Sequence, residues 1–347
     1  MGLFIDRPSH NGKKGVPVWF MRQAGRYHSH YQNIKKNSDF MTMCKDPGLA
    51  RDITMGPIED FNFDAAILFS DLLFPLEQLG MGLSYHSGPP TLEYKLQATE
   101  DLKKLNLKAP GKSFYQFQGE AVKLLKTSLP KHVSMLGFVG APFTLYTYAV
   151  EGSHAGNLTS SKLGFYDGRY NGFLEILIPE LLEEMSIQAQ NGAEAVCLFD
   201  TAAGEVMLND YKTFLVPAIK KIVSLFKAKH PNTKVIYYSK LTHTSYLRTL
   251  RGSGIDVLGV DWRHDVAEVL KEFGDEFMIQ GNLDPSYLHY PWSELETKLK
   301  ELLASVKNAN APMDKWIMGL GHGVLQHTPE ENVRNAVKFI HENFLYE

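Results

Sequence analysis

Two arginines four residues apart, Arg22 and Arg26, flank a Gln-Ala-Gly turn directly after the apolar run 16–19. A guanidinium stays charged at physiological pH and grips a carboxylate through two parallel bonds. Gly25 between them lets a ligand approach the main chain. The pair reads as an anion site at a strand end, or as two solvated arginines near a turn. Asp71 follows Ser70 and precedes the apolar stretch 72–75. A carboxylate between apolar segments needs a partner or a cationic ligand. His322 lies between two glycines, with no bulky neighbour to hold it as a core residue. Asp200-Thr201, Asp261, Asn282 and Asp284 follow further apolar runs, and each of these aspartates could equally cap the next helix. Tyr148 shares an aromatic-rich stretch with Phe143 and Tyr146, where packing alone would account for it.

Most of these residues stand just after a short apolar run. Eight such runs occur, at 16–19, 65–69, 135–139, 195–199, 235–238, 255–260, 277–280 and 316–318, and helical patterns separate them. Fully apolar strands alternating with helices predict a parallel sheet covered by helices. Eight of them predict a single-domain (β/α)8 TIM barrel, with an open doubly wound sheet as the alternative. In a barrel the strand ends converge on one mouth, so the residues above become neighbours. The stretch 47–61 reads as a helix, with Gly56-Pro57 inside it expected to kink or interrupt it. The stretch 80–96, rich in Gly, Pro and aromatics, reads as a long loop. No repeat, low-complexity tract or linker divides the chain, so residues 1–347 read as one domain.

Composition removes several classes of function. A net charge of −3 with dispersed basic residues gives no footprint for nucleic acid. Two cysteines, Cys44 and Cys197, exclude a disulfide framework and a thiolate-rich structural metal site. The polar start, residues 1–15, lacks the apolar core of a signal peptide, and no run reaches membrane-spanning length. These points predict a soluble protein of a reducing compartment. No dinucleotide glycine fingerprint, Gly-x-Ser-x-Gly elbow or His-Glu-x-x-His helix occurs, and His86 stands alone, so no metal and no organic cofactor is expected. The glycine-rich stretch 319–323 lacks the Lys and Ser/Thr of a phosphate loop.

The motifs together resemble the uroporphyrinogen decarboxylase family, collinearly from about residue 17 to residue 344. The resemblance rests on Pro-Val-Trp-Phe-Met-Arg-Gln-Ala-Gly-Arg-Tyr at 17–27 and Asp-Ala-Ala-Ile-Leu-Phe-Ser-Asp at 64–71. It continues through Gly-Phe-Val-Gly-Ala-Pro-Phe-Thr-Leu at 137–145, Leu-Phe-Asp-Thr at 198–201, Gly-Val-Asp-Trp at 259–262, Gln-Gly-Asn-Leu-Asp-Pro at 280–285 and Leu-Gly-His-Gly at 320–323. It implies a cytoplasmic, cofactor-free carboxy-lyase, commonly a homodimer. The implied reaction removes the four acetate carboxyls of uroporphyrinogen III, giving coproporphyrinogen III and four CO2. It implies that Arg22, Ala24, Arg26, Lys35, Asp71, Tyr148, Thr201 and His322 bind the tetrapyrrole, with Asp71, Arg22, Tyr148 and His322 serving catalysis. The chain departs from the family pattern at His28-Ser29-His30, Gln32, Ala202 and Gly319. Two rivals remain at this point: a zinc methyltransferase on a related barrel, and a tetrapyrrole carrier without catalysis.

Overall fold

The structure, a computed structural model, describes residues 14–85, 89–106 and 114–346. The expectations for the N-terminal stretch 1–13 and for His86 lie outside the described residues. Strands β2 (Ala65–Ile67), β3 (Ser134–Gly140), β4 (Ala195–Asp200), β5 (Lys234–Ser239), β6 (Val257–Gly259), β7 (Met278–Leu283) and β8 (Trp316–Leu320) form one curled sheet, paired in chain order and parallel throughout. Nearly every strand residue is buried, because helices cover one face and the barrel interior the other. The largest fully buried side chains include Trp19, Trp316, Tyr237 and Phe20.

The run 16–19 is the eighth stave, but it is not a regular strand. It fills the gap between β8 and β2 in extended form, with one bridge from Val18 to Met318. On the β8 side Met318 N–H donates to Pro17 C=O at 2.8 Å and Trp19 N–H to Met318 C=O at 3.2 Å. On the β2 side Asp64 N–H donates to Val18 C=O at 2.9 Å, and Val18 N–H donates to the Asp64 carboxylate at 2.7 Å. A side chain thus takes a rung that the backbone would otherwise supply, and Pro17 has no N–H for another. Short β1 (Lys14–Gly15) pairs antiparallel with β9 (Leu345–Tyr346) and clasps the two described chain ends.

The helix Pro47–Phe61 runs unbroken through Pro57, which corrects the expected interruption. A mid-helix proline forfeits one backbone bond and costs about 3 kcal/mol in an exposed helix; here Ile53, Ile58 and Phe61 on the buried face anchor both halves. Gly56 is required for a different reason: a Cβ there would stand 2.5 Å from the His30 ring. His30 also hydrogen-bonds the Asp52 carbonyl at 3.0 Å, and the wholly buried His28 meets Asp60 at 2.7 Å. The His28-Ser29-His30 departure therefore docks helix Ser29–Lys35 onto helix Pro47–Phe61, away from the mouth.

Candidate active site

The turn after the first stave is pinned before it presents anything. Gln23 is fully buried and its Nε2 donates to Ala65 C=O at 3.1 Å, tying the turn to β2. Tyr27 donates to Gln23 C=O at 2.7 Å, and Val324 N–H donates to Met21 C=O at 2.9 Å. Between these anchors Arg22 adopts φ 58°, a left-handed conformation that costs a non-glycine residue about 1–2 kcal/mol. Strain of this kind persists only where its surroundings impose it, and it gathers at functional sites. The Arg22 side chain lies across Gly323, where a Cβ would come 2.4 Å from its Cδ. Gly323 thus makes the channel along which the arginine of the first stave reaches the loop after β8.

Asp71 sits half-buried beyond β2, on the same mouth. One carboxylate oxygen accepts Leu73 N–H at 2.6 Å and the other accepts the Tyr85 hydroxyl at 2.5 Å. Burial pushes its carboxyl above the ordinary range, partly offset by these two bonds and reinforced by Glu77. Each oxygen keeps a lone pair, so the carboxylate can accept further N–H donors. Tyr85 itself packs at a tilt against Phe40, ring centroids 4.7 Å apart.

Tyr148, on helix Pro142–Glu151, hydrogen-bonds His154 Nδ1 at 2.6 Å. Burial and then Asp71 push its phenol up to about 12, against the pull of Arg22. Nδ1 of His322 accepts Gly323 N–H at 2.8 Å, which leaves the ring proton on Nε2. Burial, then the charges of Arg22, Lys240 and His154, drive the His322 pKa down to about 3. The imidazole is therefore neutral at working pH and offers an N–H to a ligand. Burial also lowers the pKa of the Arg22 guanidinium, which Tyr148 and Tyr238 counter and Arg26 reinforces.

The structure thus brings Arg22, Asp71, Tyr148 and His322 together, with Arg26 beside Arg22. Ala24 is part of the pinned turn, and Thr201 follows β4, both half-buried. Lys35 stands exposed on the last turn of helix Ser29–Lys35, with no recorded contact to the other site residues. No carboxylate of the described residues lies within 4 Å of the charged ends of Arg22, Arg26 or Lys35. Gln32 donates to Arg26 C=O at 2.5 Å, so this departure from the family pattern holds the second arginine's backbone.

The other carboxylates at the strand ends are structural. Asp200 is wholly buried, accepting Thr144 and Tyr237 hydroxyls at 2.9 Å each; it neither caps a helix nor faces the mouth. Asp261 accepts Leu241 N–H and the Arg263 guanidinium, and Asp284 caps the short helix Pro285–His289 through Ser286 N–H. Asn282 donates to Asp261 and His264 carbonyls. The sequence alone missed Tyr85, His154 and Lys240. Tyr85 and His154 lie in irregular loops, and Lys240 directly follows β5, a position the strand-end rule could have flagged. Among the described residues no group of His, Cys, Asp and Glu has metal-holding geometry, and both cysteines are buried. A separate recess of 380 Å3, lined by residues including Thr242, Arg263 and Glu268, opens outside this constellation.

The uroporphyrinogen decarboxylase family model matches residues 10–343. The uroporphyrinogen decarboxylase of Chloroherpeton thalassium is 35% identical over 98% of this chain and 96% of its own. That of Geobacter sulfurreducens is 34% identical over 94% of both chains. Among solved structures, a methyltransferase from Methanosarcina mazei superposes with a TM-score of 0.74 over 94% of both chains at 17% identity, a likeness of fold alone. A family match over nearly the whole length, with relatives above 30% identity and the family's motif residues gathered at one barrel mouth, settles the classification: the chain belongs to the uroporphyrinogen decarboxylase family.

Proposed function

We propose that this protein is a carboxy-lyase that decarboxylates the four acetate side chains of uroporphyrinogen III to give coproporphyrinogen III. The observation that carries this reading is the pairing of one half-buried carboxylate, Asp71, with the unpaired cations Arg22 and Arg26 at the same mouth. The substrate has complementary features: pyrrole N–H donors at its centre and carboxylates around its rim.

A pyrrole acetate cannot release CO2 directly, because the electrons left behind need a sink. Protonation of the ring carbon makes an iminium-like cation that accepts them; loss of CO2 leaves an exocyclic methylene, which takes up a proton to become the methyl as the ring carbon releases its own and the pyrrole rearomatises. Asp71, ionised and accepting the pyrrole N–H groups, stabilises that cation in a site with little water. Arg22 and Arg26 orient the leaving and neighbouring carboxylates. Tyr148, Thr201 and Ala24 line the substrate, and Lys35 adds a cation at the rim. His322, neutral with Nε2–H outward, donates a hydrogen bond and is a poor general acid. Arg22 is also an awkward acid, since a guanidinium holds its proton strongly. On this reading the proton is carried by solvent admitted to the site.

The same reading takes residues 1–347 as one domain and the protein as a cytoplasmic homodimer that needs no metal or organic cofactor. No helix of the described residues is long and apolar enough to cross a membrane. Anaerobic incubation with uroporphyrinogen III, followed by chromatography of the porphyrins, tests the function. Coproporphyrin accumulating through the intermediates with seven, six and five carboxyls is expected, with activity retained in chelator. Unchanged substrate under all conditions would refute it.

A further inference from the structure

Lys240 directly follows β5 and has no carboxylate of the described residues within 4 Å of its ammonium. Tyr238, two residues earlier along β5, sets its ring 6.0 Å from that of His322, and the alternation of an extended chain carries Lys240 to the same side; its charge is felt by both His154 and His322. Its position is firmly built. Gly204 N–H donates to Lys240 C=O at 3.1 Å, and a Cβ on Gly204 would lie 2.4 Å from that oxygen. Leu241, the next residue, adopts φ 63° and is held by an N–H bond to Asp261 at 2.8 Å. Asp261 spends its oxygens on Leu241 and Arg263, and does not neutralise the lysine. Two of the left-handed non-glycine positions therefore lie at or beside a mouth cation: Arg22 itself and the residue after Lys240.

His322 adds a donor of fixed direction. Gly323 N–H occupies Nδ1 of His322, and the Tyr148 hydroxyl faces Nδ1 of His154. With its Nδ1 accepting, the His322 ring carries its proton on Nε2. The His154 tautomer follows the direction of its bond to the Tyr148 hydroxyl, which can donate or accept. The Lys240 ammonium and these imidazoles share one part of the mouth, with no carboxylate of the described residues paired to the ammonium.

We propose that Lys240 and His154, together with the Nε2–H of His322, form a second carboxylate clamp at the mouth, on the side of Arg22 where Gly323 and His322 stand. The clamp holds a carboxylate of the tetrapyrrole that does not react in that turn, a propionate in the final product. This rests on the decarboxylase reading above and adds two residues to it. An octacarboxylate substrate needs more counter-charge than one arginine pair provides. A second grip also fixes which acetate stands over Asp71.

The test is equilibrium binding of coproporphyrinogen III, kept reduced under anaerobic conditions, beside steady-state kinetics with uroporphyrinogen III. Lys240→Met and Lys240→Gln should each weaken product binding and raise KM by about tenfold or more, the loss of one charge-assisted contact. kcat should fall by less than about threefold, as for a contact made equally in ground and transition states. Lys240→Arg should restore binding to within about threefold, and His154→Phe should weaken it independently. Binding to both neutral variants as tight as to the unaltered protein would overturn the clamp. Failure of the unaltered protein to turn over uroporphyrinogen would overturn the function as well, so the two failures are distinguishable.

Discussion

Tyr85→Phe removes one hydroxyl and leaves the ring packed against Phe40 at 4.7 Å, so the loop keeps its packing. That hydroxyl is one of two donors to the Asp71 carboxylate among the described residues, at 2.5 Å, and its bond opposes the upward push of burial. A hydrogen bond to an ionised group is worth about 1.5–3 kcal/mol, equivalent to about one to two pH units in the carboxyl's titration. The sign follows from the direction already present. Asp71 titrates above its ordinary range in the folded protein, so activity that needs the carboxylate is lost as pH falls through that raised value. Without Tyr85 the value rises further. The acid limb of kcat/KM should therefore move up by about one to two pH units, with activity below the limb reduced about 10- to 100-fold and largely recovered at alkaline pH. A kcat/KM–pH profile for both proteins, with circular dichroism as a control, measures this. Superimposable profiles would refute the claim that an ionised Asp71 is what the site uses.

Two further outcomes follow from the same geometry. Gly323→Ala puts a Cβ where the Arg22 Cδ lies, so the arginine must leave its channel; kcat/KM should fall about 10- to 100-fold with little change in melting temperature, as expected for a misplaced orienting group. Asp200→Asn keeps a partner for Thr144 and Tyr237, whose hydroxyls can each donate or accept. The folded Asp200 titrates near 6, up from 3.8, because burial disfavours its charge; its protonated form therefore favours folding below pH 3.8, and that contribution, about 3 kcal/mol, is lost as pH rises to about 6. Asp200→Asn should flatten the dependence of stability on pH across that interval, measured by denaturant unfolding at several pH values.

The barrel was legible in the sequence because its signals are local. Buried parallel strands must be apolar throughout, and helices must separate them, so the eight runs could be read directly. The exception, the stave at 16–19, shows the limit of such patterns: whether an extended run pairs regularly depends on a distant partner, here Asp64, whose side chain takes the Val18 N–H. The arginine pair, Asp71 and His322 were legible because strand ends converge by architecture; Tyr148, on helix Pro142–Glu151, came only through the family resemblance. Asp200 shares that position and shows that position alone misleads, since one register step turns a side chain from the mouth into the core. Tyr85 and His154 were invisible because loops carry no periodicity. Their roles come from partners distant in sequence or fixed by loop geometry, such as the Tyr85–Asp71 bond.

The charge of Asp71 is the centre of the account, and the rates of Asp71→Asn and Asp71→Glu test it most directly. Asn can keep its oxygen toward Leu73 N–H and its amide toward the rotatable Tyr85 hydroxyl, so the fold should survive. It loses only the negative charge, whereas Glu keeps that charge and displaces it by one methylene. The account predicts that Asp71→Asn loses about 3–4 kcal/mol of transition-state stabilisation, the scale of one preorganised electrostatic group, and that Asp71→Glu retains more activity. A folded Asp71→Asn protein that decarboxylates uroporphyrinogen III faster than Asp71→Glu would contradict it.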